Sequence, residues 1–304
     1  MRSTLKSIVE RALIGGGVSG LARSRLTGRG LVLAYHNILP EGAEPGLDTS
    51  LHLPHAAFVR QLEHLRRHHE VVPLKQLLDP RSGPSERPRV AITFDDAYQG
   101  AVTLGVATLA RFRFPATIFA APGILGGQGF WWDRVCRPDG SALSTQERQA
   151  ALTAARGEDP QVLAWARTAG LAVREAVPAA RSATEGELRS ALAREGLTLA
   201  SHTWSHPNLS KLHGDRLRAE LTRSRAWIQE FAVHPLPYIS YPYGLASADV
   251  VRAAEAAGYA AGFLVSGGWH RPGVGDPYRI PRLNVPAGIS EAGFALRAAG
   301  LFCR

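Results

Sequence analysis

The chain has 304 residues, of which 45% are apolar and 20% charged, and its 35 Lys and Arg against 26 Asp and Glu give a formal charge of +9. This composition excludes a disordered polymer and leaves room for one α/β barrel of roughly 250 residues or for two smaller domains. The basic excess is mostly Arg spread along the chain, which points to an anionic partner such as a membrane surface or a phosphate-bearing substrate, or to no more than a solvated basic surface.

Cys136 and Cys303 are far apart and lack Cys-x-x-Cys spacing, so neither a disulfide framework nor a cysteine zinc site is expected. No run of 18 apolar residues occurs, so no membrane-spanning helix is expected either. Residues 1–28 read as a basic N-terminal segment in which Arg2 and Lys6 precede a short Gly-rich apolar run without a clean cleavage site. The expected location is the cytoplasm or the periphery of a membrane, with secretion left open.

Residues 30–35 form a continuous apolar run suited to an inner strand of a parallel sheet, and they deliver His36 and Asn37 to its end. A Pro/Gly loop follows, then a helix over 55–69 with Phe58, Leu62 and Leu65 at helical spacing. The strand 90–94 runs into Thr93-Phe94-Asp95-Asp96, the helix 98–112 follows, and Pro115 introduces a strand over 116–120. Such alternation argues for βαβ units and a parallel sheet.

Residues 123–195 break the rhythm and read as a helical insertion on a barrel that spans 29–304. Helices are expected over 145–156, 160–169 and 184–194, the last with capping-box spacing between Thr184 and Glu187. The insertion opens on Phe130-Trp131-Trp132-Asp133, whose aromatic faces suit either sugar stacking or a hydrophobic anchor to the barrel. Strand 197–200 then leads to His202, followed by a helix over 215–231, a strand over 238–241, the turn Pro242-Tyr243-Gly244, a helix over 247–257, strands over 260–265 and 279–285, and a closing helix over 290–299.

Two adjacent carboxylates at the mouth of a buried strand need a cation or a proton to answer their charge. One of Asp95 and Asp96 therefore reads as a metal ligand and the other as a proton carrier. His202-Thr203-Trp204-Ser205-His206 offers two imidazoles four residues apart, which face the same way on a helical turn. Two imidazoles and one carboxylate are a ligand set for a hydrolytic metal with open positions. Each piece alone also has an ordinary structural explanation, and the specific signal is their joint placement after separate strands, where α/β barrels build their sites.

Thr93-Phe94-Asp95-Asp96, His202-Thr203-Trp204-Ser205-His206 and Tyr241-Pro242-Tyr243-Gly244 resemble, in order, the first three motifs of the polysaccharide deacetylases with the NodB-homology domain, carbohydrate esterase family 4. The resemblance spans roughly residues 30–285. It implies a distorted (β/α) barrel holding a divalent metal, usually Zn2+, on Asp96, His202 and His206. Asp95 would be the general base and the backbone N–H of Tyr243 part of the oxyanion site. The implied substrate is an N-acetylated carbohydrate, possible settings being an anionic membrane surface or a lipid-linked glycan, and nucleic acid is not expected.

Two departures stand out. Many family members carry an Arg two residues before the motif-three proline to orient the base, and Ser240 stands there, leaving Arg279 and Arg282 as candidate replacements. The C-terminal Leu-x-His motif that supplies a general acid is also missing, since the strand reads Arg282-Leu283-Asn284. Tyr35-His36-Asn37 resembles the N-terminal Tyr-His motif of the subgroup related to poly-N-acetylglucosamine deacetylases, which makes His36 the candidate acid. Trp131, Trp132, Asp133, Tyr241 and Asn37 are the candidate substrate contacts. The competing readings are a non-catalytic glycan-binding barrel, an O-acetyl esterase on the same scaffold, and an iron(II) site for oxygen chemistry.

Overall fold

The computed structural model of the protein describes residues 28–83 and 85–302 together with Glu10, Gly20, Ala22 and Leu26. The basic segment 1–28 thus lies almost wholly outside the described residues, as does Cys303. In chain order the strands are β1 (Gly30–Tyr35), β2 (Asn37–Leu39), β3 (His52–Pro54), β4 (Glu70–Val71), β5 (Arg89–Phe94), β6 (Ala116–Ala120), β7 (Val135–Cys136), β8 (Ala172–Val173), β9 (Leu197–Ser201), β10 (Pro235–Ser240), β11 (Ala261–Gly267) and β12 (Ile280–Asn284). β5, β6, β9, β10, β11, β12 and β1 pair in that order, all parallel, and the β1–β5 pairing closes them into a barrel. β4 adds to the beginning of β5, and β2 pairs with β3 outside the barrel.

The apolar runs of these strands are continuous because both of their faces are covered. Val32, Ala91, Phe119, Ala200, Phe263 and Ile280, one from each of six strands, form a single inner cluster, floored by Leu74 and Leu77 of the short helix Leu74–Leu78. The alternate residues Leu31, Leu33, Val90, Ile92 and Ile118 pack outward against the helices. The helix His55–His68 buries Phe58, Leu62 and Leu65 from successive turns of one face, as its spacing predicts.

The period of two carries a consequence for the site. If Ala91 faces inward, so do Thr93 and Asp95; if Ile280 does, so do Arg282 and Asn284. In the same way Tyr238 puts Ser240 inside, while Ile239 and Tyr241 pack outward with Leu217, Leu221 and Val250.

Between β6 and β9 lie the antiparallel pair β7–β8 and the helices Thr145–Thr153, Asp159–Thr168 and Glu185–Leu192. The last is capped by Thr184 and Glu187 reciprocally, as their spacing predicts. Three expectations differ from what is found. The helix after Asp96 passes through a π-helical turn at Ala101–Gly105 before the regular turns of Val106–Phe112. Its entry is tight, since a Cβ on Gly100 would run into the Ile38 carbonyl. Segment 202–208 is not helical. The helix expected over 55–69 ends at His68, because His69 is extended, buried and hydrogen-bonded through Nε2 to the Ala298 carbonyl at 2.9 Å.

Candidate active site

The C-terminal ends of β1, β5, β9, β10 and β12 open into a cavity of about 200 Å³ whose wall includes His36, Asp95, Asp96, His202, His206 and Asn284. A larger cavity of about 380 Å³ lies at the opposite end of the barrel among Arg29, Arg67, Arg87 and Arg89. Size does not decide between them. The smaller one gathers the chemically capable groups, at the end where barrel loops converge.

Asp96 follows the end of β5 with φ 70°, and Ala97 has φ 53°. These left-handed residues turn the chain so that both carboxylates enter the cavity. Asp96 Oδ1 lies 3.3 Å from His202 Nε2 and 3.2 Å from His206 Nε2, and the two imidazole nitrogens are 3.1 Å apart. The histidines converge without a helical turn, because Thr203 (φ 68°) and His206 (φ 57°) both adopt left-handed conformations.

Donors bonded to zinc at about 2.0–2.1 Å in tetrahedral geometry stand about 3.3 Å from one another, so the observed triangle fits a divalent cation. Proton placement agrees. His202 Nδ1 lies 2.7 Å from the Ser240 carbonyl, which only accepts, so Nδ1 carries the hydrogen and Nε2 presents its lone pair inward. Among the described residues, Asp96, His202 and His206 are the one group of three with this spacing. Burial opposes the charge on Asp96, yet the two imidazoles hold its carboxyl well below the usual range.

Asp95 points across the barrel to Arg282. The guanidinium, fully buried, donates from Nη1 to Oδ1 at 2.8 Å and from Nη2 to Oδ2 at 2.6 Å, while Nε donates to the Leu264 carbonyl at 2.6 Å. Ser240 Oγ adds a hydrogen bond to Asp95 Oδ2 at 3.1 Å and accepts one from Arg282 Nη2 at 2.8 Å. Burial pushes the Asp95 pKa up, but Arg282 and the nearby imidazoles overcome it and hold the carboxyl at about 2. Of the two candidates for the Arg missing at Ser240, Arg282 is thus the one that reaches Asp95. Arg279, the other candidate, is half-exposed and pairs with Asp276. The inward alternation 280, 282, 284 was the signal in the sequence that could have separated them.

His36 follows β1 on the same wall. Burial lowers its pKa, and Asp96 and Asp95 only partly offset this. Tyr243 has φ 60°, and its backbone N–H donates to no described residue. Its hydroxyl is engaged elsewhere, accepting from Trp131 Nε1 at 3.0 Å and donating to the Gly157 carbonyl at 3.0 Å.

The candidate substrate residues divide. Trp132 reaches the cavity, where its ring centroid is 5.0 Å from that of His206. Trp131 is fully buried and ties the insertion to Tyr243. Asp133 is buried in a network with His52 Nε2 at 3.0 Å and the Tyr98 hydroxyl at 2.7 Å, and it does not line the cavity. Asn37 joins the same network through His52 Nδ1 at 3.0 Å. Tyr241 contributes to the cavity wall, but its hydroxyl packs outward over Gly262, where a Cβ would collide with it. The pair Arg148–Asp48, Nη1 to Oδ2 at 2.6 Å, joins the insertion to the barrel at the cavity wall and was not foreseen.

The polysaccharide deacetylase family model matches residues 82–262, more than half of the chain. Comparison with curated proteins finds no sequence match. Among solved structures, the chain is similar to the Streptococcus pyogenes deacetylase PplD in complex with acetate, at 16% identity and a TM-score of 0.60, covering 87% of this chain and 96% of that one. It is similar to BC0361, a polysaccharide deacetylase from Bacillus cereus, at 15% identity and TM-score 0.62, covering 89% and 69%. It also resembles IcaB from Ammonifex degensii, at 16% identity and TM-score 0.59, covering 90% and 96%. At these identities the structural likeness bears on the fold, the NodB-type barrel, and the family match bears on the chain: the protein belongs to the polysaccharide deacetylase family.

Proposed function

We propose that the protein is a divalent-metal-dependent hydrolase, with zinc as the metal, that removes the acetyl group from an N-acetylated sugar of a polysaccharide, a glycolipid or their precursor. The observation that carries this reading is the triangle of Asp96, His202 and His206 donors beside the Asp95–Arg282 pair. Asp96, His202 and His206 would hold the metal. When bound there, it supplies Lewis acidity that makes a water acidic and polarises the acetamide carbonyl.

Asp95 takes the proton as the water attacks. A carboxylate at about 2 is a weak base, so its contribution lies in remaining ionised and in pointing in one direction, and Arg282 and Ser240 secure both. The Tyr243 N–H, which has no partner among the described residues, is assigned to the developing oxyanion. His36, on the β1 side of the cavity, gives a proton to the departing amine nitrogen. Trp132 forms an apolar wall against which a sugar or its acetyl methyl packs. The net charge of +9 supports an anionic surface or a lipid-linked glycan as the setting of the reaction.

The test is acetate release from a panel of N-acetylated and O-acetylated oligosaccharides by the protein as purified, after chelation, and after return of zinc or, anaerobically, iron. Release from N-acetyl substrates that is lost on chelation and restored by zinc is expected. Metal binding without release across the panel would favour a glycan-binding barrel, and release from O-acetyl substrates alone would favour an esterase.

A further inference from the structure

The segment from Ser201 to His206 carries both imidazoles and is irregular, with two non-glycine residues in the left-handed region. Residues in that region persist where the surroundings over-determine them. Here the surroundings come from one face of the helix Gly214–Phe231. Glu220 Oε2 accepts from the backbone N–H of Trp204 at 3.0 Å and of Ser205 at 2.9 Å, and Oε1 accepts from Ser205 Oγ at 2.7 Å. One turn further along, the Arg223 guanidinium sits 3.6 Å from the centroid of the Trp204 ring. Ser224 Oγ is 2.8 Å from Ser201 Oγ, which accepts from the Thr203 N–H at 3.1 Å. Residues 220, 223 and 224 are three and four apart and therefore share a face.

We infer that Glu220 is a positioning residue for the metal centre. Its carboxylate holds the middle two of the four peptide units between His202 and His206, and so sets the angle at which the two Nε2 atoms meet Asp96. The inference rests on the metal-centre reading of the proposed function. Bonds from backbone N–H to an ionised carboxylate are charge-assisted, which makes this clamp stronger than the neutral Ser201–Ser224 contact beside it. Glu220→Gln would leave a neutral oxygen for the two N–H groups and turn its NH2 toward Ser205 Oγ, which can accept, so it removes the charge assistance and keeps the contacts. Outer-shell partners of metal ligands change metal affinity by roughly 10- to 100-fold when removed.

The experiment uses the full chain, stripped with a chelator and titrated with Zn2+ against a chromophoric competitor, with the Tm of the metal-free protein measured in parallel. Glu220→Ala is expected to raise the zinc Kd roughly 10- to 100-fold, and Glu220→Gln to raise it by a smaller factor. Leu65→Ala, a core change on the separate helix His55–His68, is the control for general destabilisation and should lower the Tm while leaving the Kd within about twofold of wild type. Should Glu220→Ala fail to fold, Glu220→Gln and Ser205→Ala carry the test, the latter removing only the 2.7 Å contact. A folded Glu220 variant that binds zinc as wild type does, whatever its Tm, overturns the inference. A wild-type protein that binds no zinc would instead sink the metal-centre reading and take this inference with it.

Discussion

Arg282 on β12 grips both oxygens of Asp95 beyond the end of β5, although β1 lies between those strands in the barrel. The pair is buried, so neither charge has water to fall back on. Removing one partner of such a pair costs about 3–5 kcal/mol because the other is left uncompensated. Arg282→Ala is expected to destabilise the protein by that amount in chemical denaturation and to abolish measurable acetate release. Arg282→Lys should recover part of the stability and little of the activity, since a point charge cannot hold two oxygens in a plane. Wild-type turnover in Arg282→Lys would show that bidentate orientation of Asp95 is unnecessary.

Asp95 and Asp96 are neighbours in sequence with different partners, so their substitutions should separate. Asp96→Ala and His202→Ala are expected to lose zinc and activity together, because each removes one corner of the donor triangle. Asp95→Asn should bind zinc stoichiometrically and lose activity by at least about 100-fold, the usual scale for a general base. Metal analysis alongside kinetics decides, and zinc loss in Asp95→Asn would mean that the two roles are not divided this way.

A pH profile tests His36. Burial lowers its pKa below the ordinary 6.5, and the acid role needs the protonated form. As pH rises through the lowered pKa that form disappears, so kcat should fall on the alkaline side with a midpoint below 6.5. In His36→Gln this limb should vanish and the remaining rate be lower by roughly 100- to 10,000-fold. An unchanged limb in the variant assigns the acid role to another group.

Asp133 accepts hydrogen bonds from the Tyr98 hydroxyl and pairs with His52, away from the cavity. Asp133→Ala leaves those buried partners unanswered and should cost about 2–4 kcal/mol in stability. KM for an N-acetylated oligosaccharide should stay within about twofold of wild type. A KM rise of tenfold in a folded variant would place Asp133 in contact with substrate after all.

Much of this architecture is written in local pattern. The apolar run Gly30–Tyr35, the strand ending at Phe94 and the helical spacing of Phe58, Leu62 and Leu65 are signals carried within one element, and they lie where the spacing puts them. The donor triangle was legible for a related reason: its residues sit just past strand ends, where a parallel barrel must gather them. The short pairs β2–β3 and β7–β8 were not legible, because strands of two or three residues have no period to read. The aromatic run at 130–132 was ambiguous in sequence and is divided in space, Trp132 facing the cavity and Trp131 buried behind it.

What the sequence by itself determined is the alternation of strands and helices and the placing of Asp95, Asp96, His202 and His206 just past strand ends, since hydrophobic period and residue order are local properties, while the closed barrel was implied by the family resemblance. What only the tertiary structure decided is who answers whom. Arg282 rather than Arg279 reaches Asp95, Glu220 braces the histidine segment, and Asp133 and Asn37 serve a buried network, because each of these partnerships depends on which faces of distant elements are brought within about 3 Å, the hydrogen-bonding range, and no pattern along the chain encodes that distance.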